Sequence, residues 1–345
     1  MSAVTDQDMA SEAGEVLRTG FARASSGAPD SVRAAFVIAG QPVRLHVAGS
    51  ALACQVLRAF GHLERAPLAG DFGLTIDLWD EGETGVGCPD VAVRESPLRL
   101  LAAPNGIVCH QIRDGLAVLD REQRRIIGWR RAASSVPAAE QGRPLDPLLG
   151  CWAVDSGMTA AHGALVARRG AGALLAGAAG AGKSTTALAC AAAGYDYLSD
   201  DRFILARDAG GSFVAHSLYS TAQVLPSTLE RFPQLPRAAA MLAQPGAKRI
   251  MALADTVGLS CISQARIQAI LLPRVQGGRS AVRPASGARA LLALAPSSLF
   301  QHVGGGGAAG FERLADLAGS VPVWELELGP DLSVIPALVD RVLAG

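Results

Sequence analysis

The chain has 345 residues, half of them hydrophobic and 18% charged, which is long enough for a sizeable core and reads as folded. Lys plus Arg and Asp plus Glu stand at 31 each; this excludes a global field toward nucleic acid or anionic lipid and argues against both as partners. Six scattered cysteines without a CxxC pair, no secretory leader and no long apolar run lead us to expect a cytoplasmic protein with no membrane span, no disulfide framework and no zinc site.

In chain order, residues 1–30 are rich in Ala, Ser, Gly and acids and are expected to be a disordered tail. RAAFVI, VRLHVAG, GLTIDLWD, GIVCHQI, LAVLD and RRIIGWR alternate as strands of a mainly antiparallel sheet, with one helix over 50–62. Residues 31–145 therefore read as a smaller, mainly β N-terminal α+β domain suited to substrate recognition, closed by the linker-like stretch AASSVPAAEQGRPL at 132–145. Residues 146–345 read as an α/β domain: ALVARRGAGALLAG as a hairpin, KSTTALACAAAG as a helix, and YDYLSDD as a strand ending in carboxylates. FILARDAGGSFVAH reads as a hairpin, GGGGAAG (304–310) as a flexible loop, and DLSVIPALVDRVL as a closing helix capped by Asp331.

The chemistry concentrates in 177–201. Gly177-Ala-Ala-Gly180-Ala-Gly182-Lys183-Ser184 fits G-x4-G-K-[ST] between a strand and a helix. Glycines let backbone N–H groups converge on a phosphate, and the helix start adds its positive dipole end. Lys183 then reaches the outer phosphates, and the Ser184 hydroxyl suits Mg²⁺. This implies ATP and Mg²⁺ as cofactors. Asp200 and Asp201, seventeen positions after the lysine, supply one carboxylate for the metal (Asp200 with Ser184) and one to deprotonate an attacking hydroxyl. Folding of the 164–177 stretch as a hairpin would return His162 to the loop's end of the sheet. The residues alone point to a kinase without naming its acceptor; a small-molecule hydroxyl kinase of the shikimate-kinase type and a non-catalytic nucleotide sensor stand as alternatives.

His162-Gly163, the glycine loop, TALACAAAG and Asp200-Asp201 together resemble the catalytic domain of HPr serine kinase/phosphorylase. GKSTTALAC, YLSDD, SLYST, LAPSS and VPVWELELG are most similar to the HPr-kinase-like enzymes of lasso-peptide gene clusters. The resemblance implies an ATP-dependent kinase acting on a peptide serine, the C-terminal serine of a lasso-peptide precursor. It implies a homo-oligomer, since HPr kinases assemble. By the same likeness Gly177, Gly180, Gly182, Lys183, Ser184 and Thr185 bind the nucleotide, Asp200 or Asp201 is the base, and His162 assists beside the transferring phosphate. Where HPr kinases carry a further acidic ligand, this sequence has Tyr219, Ser220 and Thr221, which become candidate substrate contacts. Lys248 and Arg249 are candidates for the cation over the γ-phosphate. Trp79, Trp129 and Trp152 are expected in cores, and Arg124, Arg125, Arg130 and Arg131 form a local basic cluster.

Overall fold

The computed structural model describes residues 6–27, 30–88, 99–232, 240–241, 249–254, 258–299 and 307–344. Internal contacts divide it into two units: the first holds Met1–Arg58 and Leu63–Ser156, the second Ala59–His62 and most of the chain from Gly157 on.

Unit 1 begins with α1 (Asp6–Gly27). Ala13, Leu17, Phe21 and Ala24 fall on one stripe at helical spacing, and all four are buried in a cluster with Trp79, Val118 and Ile127. The segment expected as a disordered tail is thus largely a docked helix; its small residues mask the stripe. β1 (Ser31–Ile38) and β2 (Gln41–Ala48) pair antiparallel around Ala39 and Gly40, whose φ of 50° and 77° make the two-residue hairpin turn. Then come α2 (Ser50–Ala59), β3 (Leu74–Asp80) and α3 (Glu81–Thr84), the last capped by the Asp80 carboxylate. β4 (Arg99–Ala102), β5 (Ile107–Ile112), β6 (Gly115–Asp120) and β7 (Arg125–Arg130) complete a seven-stranded sheet of order β1-β2-β3-β7-β6-β5-β4. β3 runs parallel to β2 and β7, and the other pairs are antiparallel.

The expected linker is part of this unit. α4 (Ala138–Gly142) lies in it, with Glu140 and Gln141 buried, and α5 (Asp146–Asp155) follows. The contact boundary therefore falls at Ser156, eleven residues past the compositional one at 145. Three of the four arginines of the basic cluster are paired internally: Arg125 with Asp77, Arg130 with Glu140 at 2.8 Å, and Arg131 with Asp114 at 2.9 Å. Trp79, Trp129 and Trp152 are all core residues.

Unit 2 opens with β8 (Thr159–Arg168) and β9 (Ala171–Leu175), a hairpin whose turn, Arg169 and Gly170, again has two positive φ values. α6 (Lys183–Ala192) and β10 (Asp196–Arg207) follow, then β11 (Phe213–Ser217), β12 (Thr221–Val224), α7 (Pro226–Leu229), β13 (Ala240–Met241), β14 (Arg249–Ala252) and β15 (Ser260–Cys261). β16 (Gln264–Val275), β17 (Ala281–Ala285), α8 (Gly287–Leu299), α9 (Gly307–Ser320), β18 (Val323–Leu328) and α10 (Ile335–Leu343) close the chain. The main sheet runs β11-β10-β8-β9-β16-β18-β17, with β9, β16 and β18 mutually parallel. Ala187, Leu188, Ile335 and Val339 from α6 and α10 cluster with one set of strand residues. Leu294, Leu314 and Leu317 from α8 and α9 cluster with the alternate set. The result is a mixed α/β sandwich with helices on both faces.

Three local expectations change. β10 does not end at the aspartates but continues to Arg207, because Phe203, Ile204 and Leu205 are buried and prolong the strand through a polar stretch. Asp331 accepts from Ser333 rather than capping α10, whose first residue is Ile335 with Pro336 behind it. Of the glycine-rich stretch 304–310, residues 307–310 open α9, and 304–306 lie outside the described residues.

Candidate functional site

Residues 177–182 form the connection from β9 into α6. Gly177, Gly180 and Gly182 all have positive φ (156°, 80° and 105°). Gly182 is doubly constrained, since a Cβ there would lie 2.4 Å from Leu328 Cδ1. No side chain caps α6, so its first-turn N–H groups are left for an anion. Lys183 is the first helical residue, and its ammonium folds back on the loop, donating to the carbonyls of Gly177 at 2.7 Å and Ala178 at 3.1 Å. Ser184 and Thr185 are partly exposed beside it, while Thr186 is wholly buried.

Sheet register relates Asp200 to the strand that feeds this loop. Asp200 pairs with Ala164 and Ala164 with Leu175, the last residue of β9. Asp200 thus stands two strand spacings, roughly 10 Å, from the strand end that feeds the loop. Ala164 packs with Ala187 and Leu188 of α6, and register partners share a face, so Asp200 lies on the α6 side. Asp201 pairs with Gly163 in the next row. Its Oδ1 is 2.6 Å from His162 Nδ1, and both side chains are about one-fifth exposed (20% and 23%). Gly163 is small by necessity: a Cβ there would meet the Leu175 carbonyl at 3.0 Å. The His162 backbone N–H donates to Ser298 Oγ of α8 at 3.0 Å, which anchors that end of β8.

A bulge sets this arrangement. The register of β10 on β8 shifts between Tyr197 and Ser199, so Leu198 is an extra residue in the strand. Its carbonyl accepts from Ser217 Oγ at 2.6 Å, and Ser217 Oγ lies 2.7 Å from His62 Nε2. Burial pushes the His62 pKa down to about 4, keeping that ring neutral. The Tyr197 hydroxyl is fully buried, and burial first, then the Asp200 carboxylate, raise its pKa well above the ordinary range. Burial likewise pushes the Cys190 thiol up to about 12, leaving it unreactive.

Other candidates fall elsewhere. Tyr219 is buried and stacked on Phe60 with centroids 5.7 Å apart, Ser220 is buried with its N–H and hydroxyl both bonded to the Ala59 carbonyl, and Thr221 is buried in β12. Tyr219 and Ser220 thus pack on the 59–62 segment. Lys248 lies outside the described residues, as does the Arg249 side chain. Sequence reading held Ser217 and Ser298 only inside the SLYST and LAPSS motifs, without a role, and missed His62, whose partner Ser217 is 155 positions away.

With this geometry in hand, a family model described as "SynChlorMet cassette protein ScmC" matches residues 148–281. No curated protein matches the chain. Among solved structures, the Hpr(Ser) kinase/phosphatase from Coxiella burnetii overlaps 54% of this chain and 93% of its own, at 13% identity and a TM-score of 0.28. That overlap is too loose to transfer a residue or an activity. No helix among the described residues is long and apolar enough to cross a membrane.

Proposed function

We propose that this chain is an ATP-dependent phosphotransferase whose acceptor is a serine hydroxyl of a peptide. The observation that supports the reading is the register row joining Asp200, Ala164 and Leu175, which puts one carboxylate on the α6 face, two strands from the one that feeds a glycine loop with an uncapped helix start. A loop and helix start of this kind hold a polyphosphate, and Lys183 would exchange its two carbonyl partners for phosphate oxygens.

Magnesium fits the donors present. Asp200 and Ser184 offer hard oxygens, and magnesium bound with phosphates needs only one or two carboxylates. Among the described residues no three His, Cys, Asp or Glu side chains gather, as a protein-only cage would require. When bound, the ion would draw charge from the outer phosphates.

Asp201 is the better placed of the two as base, being partly exposed and held in one rotamer by His162. In the step, the serine oxygen bonds to the γ-phosphorus, the bond from that phosphorus to the bridging oxygen breaks, and ADP leaves with the electron pair. The hydroxyl proton passes to the Asp201 carboxylate. The finer reading, the C-terminal serine of a lasso-peptide precursor, follows from the likeness of GKSTTALAC and YLSDD to that group of enzymes.

Mass spectrometry of a serine-terminated precursor peptide after incubation with enzyme, Mg²⁺ and ATP tests this. One added phosphate is expected, absent with Lys183→Ala. Tight ATP binding without any peptide phosphate would sink the acceptor and redirect the search to small hydroxyl compounds.

A further inference from the structure

Unit 1 contains a cleft that the phosphotransfer reading does not use. It has a volume of about 380 Å³ and opens between the end of β5 and the α4–α5 segment, within the size range of small-molecule sites. Ile112, Pro137, Ala139 and Pro147 give it apolar walls.

Two features make it more than a hollow. His110 lines it, is only 4% exposed, and has an Nδ1 shut away from solvent without a hydrogen-bond partner. Buried polar atoms are nearly always paired, and the ring that carries this unpaired one stands in the wall of the cleft. Burial holds the His110 ring below its ordinary range, with Glu140 and Asp146 opposing and Arg130 reinforcing that shift; the neutral imidazole both donates and accepts.

The second feature is charge. Glu140, on the cleft wall, is answered from behind by Arg130 at 2.8 Å and by the Leu145 N–H at 3.1 Å. Arg143 and Asp146 line the cleft with opposite signs. Arg113, exposed at the turn after β5, makes no ion pair among the described residues. Three arginines thus stand against two carboxylates, leaving one positive charge at the mouth of an apolar cleft.

We propose that this cleft binds an apolar carboxylate: an aromatic or branched aliphatic group of side-chain size lying against Ile112 and Pro137, polar-contacted by His110, with its acid on the Arg113 guanidinium. Such a group is offered by a free small acid or by the last residue of a peptide. The site stands independently of phosphoryl transfer in unit 2.

The test uses the full chain with labelled histidine rings, followed by NMR during titration with three probes. These are 3-phenylpropionate as free acid, N-acetyl-L-phenylalanine as peptide end, and N-acetyl-L-phenylalaninamide as the uncharged control. Saturable movement of the His110 resonances with at least one acid is expected. The amide should bind about tenfold more weakly, the loss of one charge-assisted bond, and Arg113→Ala should weaken the acids by a similar factor. Whichever acid binds tighter assigns the source. Failure of both acids to saturate at millimolar concentration overturns the proposal. So does equal binding of acid and amide, or unchanged acid binding in Arg113→Ala, a surface substitution that leaves the fold intact.

Discussion

Both sheets bury carboxylates, but they treat them differently. In unit 1, Asp77 is held by two nitrogens of Arg125, and Asp120 accepts from Arg18 at 3.0 Å. Glu140 is held by Arg130, and Asp80 divides its oxygens between the N-terminus of α3 and the Ala133 N–H at 2.8 Å. Each is fixed by an arginine or by backbone. In unit 2, Asp201 has an imidazole as its partner. Arginine never gives up its proton, so an arginine–carboxylate pair is an inert strut. A histidine–carboxylate pair has a partner able to exchange its proton, which an arginine strut lacks.

The sharpest way to break this contrast is Asp201→Asn. It should lower phosphoryl transfer by about 10²–10⁴-fold while leaving the melting temperature nearly unchanged; equal losses in both would make Asp201 one more strut. In unit 1 the pattern should invert. Arg130→Met leaves the Glu140 charge buried and should cost about 3–5 kcal/mol in denaturant unfolding, with Arg130→Met plus Glu140→Leu recovering most of it. An unchanged midpoint for the single variant would refute the strut assignment. The smallest effect concerns His62. Its folded pKa, about 4, lies below the ordinary histidine value of 6.5, so its contribution is full above pH 6.5 and is lost as the pH falls toward 4. Melting temperatures measured from pH 7 to 4.5 should decline less steeply in His62→Gln than in the native chain. His46, His110 and His216 are lowered by burial in the same way, so the decline is reduced rather than abolished.

What could be read from the sequence was what is local. The glycine loop announces itself within eight residues, and Arg-Arg-Gly at 168–170 marks the hairpin that brings His162 back. Ser-Asp-Asp-Arg has turn composition and so reads as a strand end; burial of Phe203 and Leu205 in the cluster under α8 and α9 overrides that preference. The stripe on α1 was present at Ala13, Leu17 and Phe21, but neighbouring Ala, Ser and Gly blurred it. Glu140 in the linker was misjudged because its burial depends on Arg130, ten positions earlier and on another element.

The Leu198 bulge makes parity a determinant of the site. Along a strand, even and odd positions belong to opposite faces, so one inserted residue exchanges the faces of everything after it. Were Leu198 paired in register instead of bulged, Asp200 would fall opposite Gly163 and turn away from α6, and Asp201 would turn toward it, with the same sequence. Which carboxylate faces α6 is thus a matter of counting residues. Losing the bulge while keeping all its residues would therefore change the site more than replacing a side chain that flanks it.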